Sequence, residues 1–370
     1  MKVAFLLGTL NRGGTETLLL DVLNNSTGNY FEPLCIYRNE GAFSTDFQAS
    51  NALKFRLTPG PAWKTLTYLR KLRNLFIAEK PDIIHAQQCI DAVYASLASI
   101  GLTAKVVQTF HGYDFEAGFF TRLLIRLSMR LCSLNIFVSN SQLEYYRRTY
   151  SSARKSKQVK VYNGINFNKL YSGIKKSAQS EPETNAESLK IAMVGNFVPV
   201  RDQMTICRFL YLLHKKGVDF TFMFIGGKDE SNPDLYDNCV SFCSKNDLLS
   251  KVKFLGTRSD VPFLLSQLDA FIYSTHHDTF GIAVIEAIAA GIPVFVNDWE
   301  VMKEITANGK YATLYKTRDE NDLLVKFLEF LKQSEKFRKS AIENAEWARQ
   351  TYSIQTHCRW LHEVYREVLY

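Results

Sequence analysis

The sequence predicts an α/β protein made of two doubly wound domains, each built on a parallel sheet. Short apolar runs alternate with longer helical patterns along the chain, which is typical of parallel sheets covered by helices on both faces. A polar segment rich in Ser, Lys, Glu, Asn and Thr interrupts this alternation at 171–188. The length of 370 residues also corresponds to about two domains of roughly 150–200 residues. We therefore expect a first domain at 1–170, a linker at 171–188 and a second domain at 189–352, with a last helix at about 353–370 that packs back onto the first domain.

Elements of the first domain follow from apolar runs and the residues that flank them. The all-apolar run Val3–Leu7 predicts a buried strand, and a glycine loop leads from it into a helix at about Glu16–Leu23. A helical pattern over Thr65–Glu79 ends before Pro81, because proline cannot continue a helix. The same reasoning predicts further strands at Ile83–His85, Val106–Thr109, Asn135–Val138 and Val159–Tyr162.

The second domain repeats the pattern. Lys190–Val194 predicts a strand that enters a Gly-Asn loop, and a helix follows at about Met204–Lys216. A helix at about Ile282–Ala290 ends at a glycine, which is a common helix stop. Runs bounded by Gly, Ser or Pro predict strands at Phe220–Ile225, Val252–Leu255, Ala270–Tyr273 and Val294–Val296. Long helices are expected at about Glu320–Leu331 and Glu335–Tyr370, with a break near Tyr352.

Charge is unevenly distributed between the two halves. Met1 to Ser180 carries 23 basic and 11 acidic residues, whereas the remainder carries 22 basic and 26 acidic residues. A basic half indicates contact with nucleic acid, membrane headgroups or a phosphorylated ligand.

Seven scattered cysteines without a CxxC pair argue against a disulfide framework or a zinc site. No run approaches the ~18 apolar residues of a membrane span, so we expect a soluble protein that can lie on a membrane, and the cysteine pattern predicts a reducing, cytoplasmic compartment.

Two loops between a strand and a helix could approach a phosphate. The first holds Gly13 and Gly14, where backbone amides and the helix start favour negative charge. Its spacing is neither GxGxxG nor a Walker loop, which argues against nucleotide hydrolysis and dinucleotide redox chemistry; a plain tight turn is the alternative. The second loop runs through Asn196 to Arg201. The Arg201 guanidinium could pair with a diphosphate, or it could be a solvated surface charge.

The most informative stretch runs from Ser274 to Pro293. Asp278 lies at a loop-to-helix junction, and Glu286 follows eight positions later within the helix. Phe280 and Gly281 place backbone amides at the helix start. Carboxylates readily accept hydrogen bonds from sugar hydroxyls. A glutamate buried among Ala and Ile is costly unless something satisfies it, so this pattern argues for a ligand.

These motifs resemble those of glycosyltransferase family 4, the retaining GT-B type found among enzymes of bacterial surface polysaccharides. The Phe280–Pro293 block is highly specific for that family, and the first glycine loop is moderately so. The matching segments occur in the family's order over nearly the whole chain: Gly13–Glu16, Thr109–Gly112, Val138–Gln142, Val161–Ile165, Gly195–Gln203, Phe280–Ala287 and Gly291–Pro293. The resemblance implies the GT-B fold, in which two Rossmann-like domains face a cleft.

The resemblance also implies roles for individual residues. His111 would lie near the reacting sugar, and Arg201 would contact the donor diphosphate. Glu286 would hold the ribose hydroxyls of the nucleotide. The remaining implied donor contacts are Gly13 and Gly14 on the diphosphate or the sugar, and Asp278 with the Phe280 and Gly281 amides on the donor sugar.

Two positions depart from the family's usual pattern. The family commonly pairs an arginine and a lysine on the diphosphate, where this chain has Asn196 and Arg201. It also has a glutamate where this chain has Asp278, which is one methylene shorter. The cation missing at Asn196 must be replaced or done without, and Asp278 could select a different sugar.

The chemistry implied is a transfer without cofactor or metal. Cations and helix-terminal amides would stabilise the leaving diphosphate, and the transition state would resemble an oxocarbenium ion. In the family, the acceptor is thought to attack the face from which the diphosphate departs, with the donor phosphate taking the acceptor proton. His111 would then orient or polarise, or it could be a structural histidine. The adjacent His276 and His277 project in different directions, which argues against joint metal ligation.

A basic helix in the first half could contact a membrane or an acceptor. Arg122, Arg126 and Arg130 recur every four residues among leucines, and Lys71 and Arg73 decorate a second helix. Such a cationic face with Phe and Leu is typical of an interfacial helix. The alternative is a core-packed helix with a solvated arginine edge. Nucleic acid is disfavoured, because no recognition motif accompanies the charge.

We therefore expect a retaining glycosyltransferase that moves a sugar from a nucleotide diphosphate sugar to a saccharide or lipid-linked oligosaccharide. Two alternatives remain open. One is a sugar-nucleotide epimerase of the same architecture, which needs no acceptor. The other is a catalytically weak sugar-nucleotide-binding subunit at the membrane.

Overall fold

A computed structural model describes residues 1–11, 13–60, 64–151, 157–177 and 188–370. The chain divides into two compact units. The first unit comprises Met1–Ile165 together with Tyr352–Tyr370, and the second unit comprises Asn166–Thr351.

The first unit is built on a seven-stranded parallel sheet of order β3-β2-β1-β4-β5-β6-β7. Apolar side chains of the interior strand Lys2–Thr9 alternate between the two faces of the sheet, so that Phe5 and Ala4 enter two different cores. The strands are β1 (Lys2–Thr9), β2 (Glu32–Asn39), β3 (Leu53–Arg56), β4 (Ile83–Ala86), β5 (Lys105–Phe110), β6 (Leu134–Phe137) and β7 (Lys157–Lys160).

Helices cover both faces of this sheet. The last helix of the chain lies against α1, because its buried residues Leu361 and Tyr365 join the core beneath β1. The helices are α1 (Gly14–Ser26), α2 (Ser44–Ala49), α3 (Thr65–Glu79), α4 (Cys89–Ala98), α5 (Phe119–Leu131), α6 (Asn140–Thr149) and, at the end of the chain, α15 (Ile354–Leu369).

The second unit is built on a six-stranded parallel sheet of order β10-β9-β8-β11-β12-β13. Its strands are β8 (Leu189–Val194), β9 (Phe220–Ile225), β10 (Val252–Phe254), β11 (Ala270–Tyr273), β12 (Val294–Asn297) and β13 (Thr313–Tyr315). Its helices are α7 (Phe167–Ser177), α8 (Gln203–Lys215), α9 (Pro233–Lys245), α10 (Val261–Ser266), α11 (Ile282–Ala289), α12 (Glu300–Ile305), α13 (Glu320–Lys332) and α14 (Ser334–Tyr352). Because the strands are parallel, the loops that leave their carboxyl ends collect at one edge of each sheet.

The start of the predicted linker is wrong. The segment Tyr171–Ser177 lies in α7, and the Tyr171 hydroxyl donates to the Ala289 carbonyl at 2.8 Å. The lysines and serines of this segment obscure a helical period of apolar residues at Phe167, Leu170 and Ile174. The unit boundary accordingly falls after Ile165 rather than at residue 170. Residues 178–187 of the predicted linker lie outside the described residues.

Candidate functional site

Two loops of the second unit are joined at the carboxyl edge of its sheet. One follows β8 and carries Arg201, and the other follows β11 and carries Asp278. Arg201 forms an isolated antiparallel bridge with Thr275, and the His276 amide donates to the Val200 carbonyl at 2.9 Å. These backbone bonds fix the two loops to each other, so the side chains that they carry have defined relative positions.

Arg201 is held between a carboxylate and an aromatic ring. Its Nη1 lies 3.1 Å from Asp278 Oδ2, and the guanidinium carbon lies 5.1 Å from the centre of the Tyr273 ring. The side chain passes over Gly195, where an added Cβ would lie 3.3 Å from Nε. Nε is buried without a hydrogen-bond partner, Nη1 is paired with Asp278, and 19% of the side chain stays exposed. A buried donor without an acceptor is costly, so this guanidinium is suited to an anionic ligand.

Asp278 is occupied by groups of its own chain. Oδ2 accepts from the Tyr273 hydroxyl at 2.7 Å in addition to the ion pair with Arg201, and Oδ1 accepts from the Thr279 amide at 2.8 Å. The Phe280 amide lies farther away, at 3.5 Å from Oδ1. Burial raises the pKa of Tyr273 well above its usual range, so its hydroxyl stays protonated and donates.

The start of α11 requires a glycine. Gly281 caps the helix with φ of +83°, and an added Cβ would lie 2.8 Å from the Met302 methyl carbon. Phe280 is buried beside it. Glu286 lies within α11 between the buried residues Ile285 and Ala287, and its own side chain is partly exposed. Glu286 is therefore partly rather than fully buried, in contrast to the apolar residues on either side of it.

Asn196 stabilises the loop after β8. Its Oδ1 accepts from the Gly227 amide at 2.8 Å, and its carbonyl accepts from Gln203 Nε2 at 3.1 Å. The side chain thus ties the loops after β8 and β9 together.

A second cation, which the sequence analysis missed, lies at the same edge of the sheet. Arg318 follows β13 in a left-handed conformation with φ of +61°, and its Nε donates to His276 Nδ1 at 3.2 Å. Within the part of the chain that the structure describes, Arg318 has no ion-pair partner. No pattern in the sequence singles out this residue, because Arg318 lies three residues after the short strand β13.

In the first unit, His111 lies in the loop after β5. Its Nε2 is 2.8 Å from Oε1 of Gln87, which follows β4. Because an amide oxygen only accepts, Nε2 carries the proton of this bond. Burial and, to a smaller extent, the neighbouring His357 lower the pKa of His111 to about 4, so the ring is neutral near pH 7.

Helix α15 contributes to the surroundings of His111. His357 Nδ1 donates to the Tyr162 carbonyl at 2.6 Å, and the Tyr365 hydroxyl lies 2.5 Å from His85 Nδ1. A cavity of about 20 Å³ is lined by His85, His111 and His357, among other side chains. Gln87, His357 and Tyr365 had no signal in the sequence, since each comes from a different part of the chain.

The two glycines of the first loop start a helix. Gly13 is the N-cap of α1 and has extended backbone dihedrals, and Gly14 is the first helical residue. The Gly13 carbonyl accepts from both the amide and the hydroxyl of Thr17. Gly13, Gly14 and His111 thus lie at the carboxyl edge of the first sheet, while Arg201, Asp278, Phe280, Gly281 and Glu286 lie at that of the second.

Helix α5 exposes an apolar stripe flanked by arginines. Among its apolar side chains, Ile125 and Met129 are buried. We call the exposed set the α5 face: Phe119, Phe120, Leu123, Leu127 and Leu131, with Arg122, Arg126 and Arg130. Phe119 and Phe120 are 75% and 83% exposed, and Leu123, Leu127 and Leu131 are 51%, 44% and 40% exposed, so these three leucines are not packed into the core.

The second basic helix behaves differently. Lys71 of α3 is exposed, but Arg73 donates to the carbonyls of Ala98 and Ile100 at 3.0 and 2.6 Å. Arg73 therefore caps the carboxyl end of α4. Arg73 thus has a structural role in the first unit, and its assignment to a membrane or acceptor surface stays a prediction.

The described ranges contain neither a membrane-spanning helix nor a metal-binding cluster. No helix there is long and apolar enough to cross a membrane. In those same ranges, no group of three or more His, Cys, Asp or Glu is placed to hold a metal ion.

Glycosyltransferase family models match both units, and named glycosyltransferases are similar to most of the chain. The family model described as Glycosyltransferase Family 4 matches residues 12–169, and that described as Glycosyl transferases group 1 matches residues 175–347. N,N'-diacetylbacillosaminyl-diphospho-undecaprenol alpha-1,3-N-acetylgalactosaminyltransferase of Campylobacter jejuni is 27% identical over 78% of this chain and 77% of its own. The O-antigen biosynthesis glycosyltransferase WclY of Escherichia coli is 21% identical over 82% of each chain.

The fold matches a solved structure over its whole length. The crystal structure of Anabaena HepE in complex with UDP and glucose has a TM-score of 0.83 at 21% identity, over 99% of this chain and 100% of HepE. Two parallel-sheet units, the loops at their carboxyl edges and the matches to both family models lead to one assignment. The chain belongs to glycosyltransferase family 4 and is a glycosyltransferase with the GT-B fold.

Proposed function

We propose that this enzyme transfers a sugar, with retention of anomeric configuration, from a nucleotide diphosphate sugar to a saccharide or lipid-linked oligosaccharide in surface polysaccharide biosynthesis. The observation that carries the proposal is the guanidinium of Arg201, which is held at the carboxyl edge of the second sheet with Nε lacking a hydrogen-bond partner and 19% of the side chain exposed. A diphosphate supplies charged oxygens in the geometry that a guanidinium recognises.

The nucleotide would bind at the carboxyl edge of the second sheet. Glu286 lies partly exposed on α11 and would accept from the ribose hydroxyls. The start of α11, with Gly281 at its cap, favours negative charge on the phosphates. A UDP-sugar is the first donor to test, since the HepE structure contains UDP.

The acceptor assignment is supported by the named relatives. The Campylobacter jejuni relative is named for transfer to N,N'-diacetylbacillosaminyl-diphospho-undecaprenol, which is a lipid-linked saccharide. The α5 face would bring the enzyme to an anionic membrane, because exposed Phe and Leu can enter the interface while arginines meet the headgroups. The enzyme would then lie on the inner face of the cytoplasmic membrane.

Catalysis would proceed without a metal or another cofactor. As the bond from the sugar C1 to the diphosphate oxygen breaks, Arg201 and the α11 amides would stabilise the negative charge on the leaving group. The acceptor oxygen would form its bond to C1 on the same face, and its proton would pass to the departing phosphate. His111 is neutral, and its Nε2 donates a hydrogen bond to Gln87. It would therefore orient or polarise the sugar rather than transfer a proton from Nε2.

The test is an incubation with nucleotide sugars and membrane extract, in the presence and absence of EDTA. We expect release of nucleoside diphosphate that depends on the extract and is unaffected by EDTA. Isomerisation of the nucleotide sugar without release would indicate an epimerase. Binding without either reaction would indicate a sugar-nucleotide-binding subunit. Loss of release in EDTA that added Mg²⁺ restores would overturn the metal-free mechanism alone.

A further inference from the structure

We infer that Asp278 and Tyr273 are positioning residues for Arg201, so that Asp278 acts on the donor diphosphate rather than on the donor sugar. This inference rests on the proposed function, because it assigns a task to two side chains of the same donor site. It also gives a reason for the aspartate at a position where the family usually has a glutamate.

Both oxygens of the Asp278 carboxylate are engaged within the chain. Oδ2 meets Arg201 Nη1 and the Tyr273 hydroxyl, and Oδ1 meets the Thr279 amide at 2.8 Å. Only 12% of the Asp278 side chain is exposed. A carboxylate bound in this way has little capacity left for a sugar hydroxyl, whereas it fixes the direction of the guanidinium.

Tyr273 occupies the space that a longer acid would need. It is the last residue of β11 and is buried, and its carbonyl accepts from the Tyr315 hydroxyl at 2.9 Å. Its own hydroxyl ends 2.7 Å from Asp278 Oδ2. A glutamate would extend the carboxylate by one more carbon–carbon bond of about 1.5 Å, into the phenol. The tyrosine and the shorter acid therefore fit as a pair.

Arg201 retains donors for a ligand after this pairing. A guanidinium has five N–H groups in a rigid fork, and Asp278 approaches it at Nη1. The Tyr273 ring lies against the guanidinium, which limits its rotation. A guanidinium fixed in this way loses less conformational entropy when it binds a diphosphate.

The experiment measures the affinity of three probes for the full-length enzyme: uridine, UDP and a UDP-sugar. The variants are Tyr273→Phe and Asp278→Asn, with Tyr211→Phe as a matched control on α8. We expect Tyr273→Phe to weaken the binding of UDP and of the UDP-sugar by the same factor. This factor should be about five-fold, which corresponds to the free energy of one hydrogen bond. Asp278→Asn should again weaken both by one common factor. Uridine should bind every variant as it binds the wild type, because it lacks the diphosphate.

Each other outcome has a definite meaning. If either variant weakens only the UDP-sugar, Asp278 is a sugar ligand and the inference is wrong. Equal weakening of uridine would indicate general damage to the site and would also overturn it, as would unchanged affinities throughout. If the wild type binds no nucleotide sugar from a panel of uridine, guanosine, adenosine and thymidine donors, the proposed function fails and this inference fails with it.

Discussion

Nε2 of His111 lies 2.8 Å from Oε1 of Gln87, and the two residues follow neighbouring parallel strands of the first sheet. The bond fixes the tautomer of a histidine that burial keeps neutral. His111 and His357 both have a pKa of about 4, lowered mainly by burial. The stability of the first unit should therefore depend on pH through these two histidines.

The free energy of unfolding should decrease as the pH falls from about 7 towards 4. Each of the two histidines has a lower pKa in the folded state than its ordinary value of about 6.5, so the unfolded chain binds more protons in this range. The stability is fully present above pH 6.5 and is lost towards the folded pKa of about 4, by up to about 3 kcal/mol per histidine. Urea unfolding at a series of pH values measures the slope. A His357→Gln variant should show a smaller slope, and an identical slope would contradict the assignment.

Replacing Gln87 with glutamate should raise the pKa of His111. A carboxylate in hydrogen-bond contact with the ring favours the charged imidazolium. An NMR titration of the histidine ring carbons would follow this change from about 4 in the wild type. Gln88→Glu is the matched control, since it adds the same charge at the next residue, whose side chain contacts Arg38. Similar shifts in the two variants would show that net charge, and not the Gln87 contact, controls the ring.

Arg201→Met should lower kcat about 100-fold or more, because one charged donor to a leaving group typically contributes that much. Arg201→Lys keeps the charge but lacks the planar fork, so it should recover only part of the loss. Steady-state release of nucleoside diphosphate measures both variants. If the methionine variant had the wild-type kcat, Arg201 would make no contribution to catalysis.

Glu286→Ala should weaken nucleotide binding, because the ribose hydroxyls lose their acceptor. We expect a loss of about ten-fold or more, as for a hydrogen bond to a charged group. Glu329→Ala on α13 is the control, since Glu329 is an exposed glutamate on another helix. Isothermal titration with UDP compares the variants, and unchanged binding by Glu286→Ala would refute its assignment to the ribose.

Gly281→Ala should destabilise the second unit more than Gly217→Ala does. Both glycines have a positive φ, of +83° and +74°, so both substitutions introduce about 1–2 kcal/mol of backbone strain. An alanine at 217 would meet open space, whereas one at 281 would lie 2.8 Å from the Met302 methyl carbon. The difference in the midpoint of thermal unfolding therefore isolates the steric contact. Equal destabilisation would mean that Met302 moves aside freely.

Charges placed in the α5 face should abolish membrane binding without loss of fold. A Leu123→Glu/Leu127→Glu variant adds negative charge where exposed leucines would enter the interface. Flotation with vesicles of anionic phospholipid should retain the wild type and release the variant. Leu249→Glu, at an exposed leucine of the second unit, should still bind. Retention of the double variant would assign the exposed leucines another role.

The sequence predicted the positions of the strands better than the side-chain contacts between distant segments. Phe220–Ile225 and Ala270–Tyr273 were predicted with the bounds that the structure has, because buried parallel strands are continuous apolar runs. The edge strand Leu53–Arg56 was missed, since its mixed polar residues carry no such run. Tyr365 and His85 are 280 residues apart in the chain, and no local pattern reports such a contact. Asp278 was correctly placed at a loop-to-helix junction, but its engagement with Tyr273 depends on side-chain geometry that spacing does not encode.

The central claim is that this glycosyltransferase moves a sugar to an acceptor with retention. The most direct measurement is the anomeric configuration of the product, read from proton coupling constants at C1 after reaction of a nucleotide sugar with membrane extract or purified lipid-linked saccharide. We predict acceptor-dependent release of nucleoside diphosphate and a product with the configuration of the donor. A product of opposite configuration, or an isomerised nucleotide sugar without release of nucleoside diphosphate, would contradict the claim.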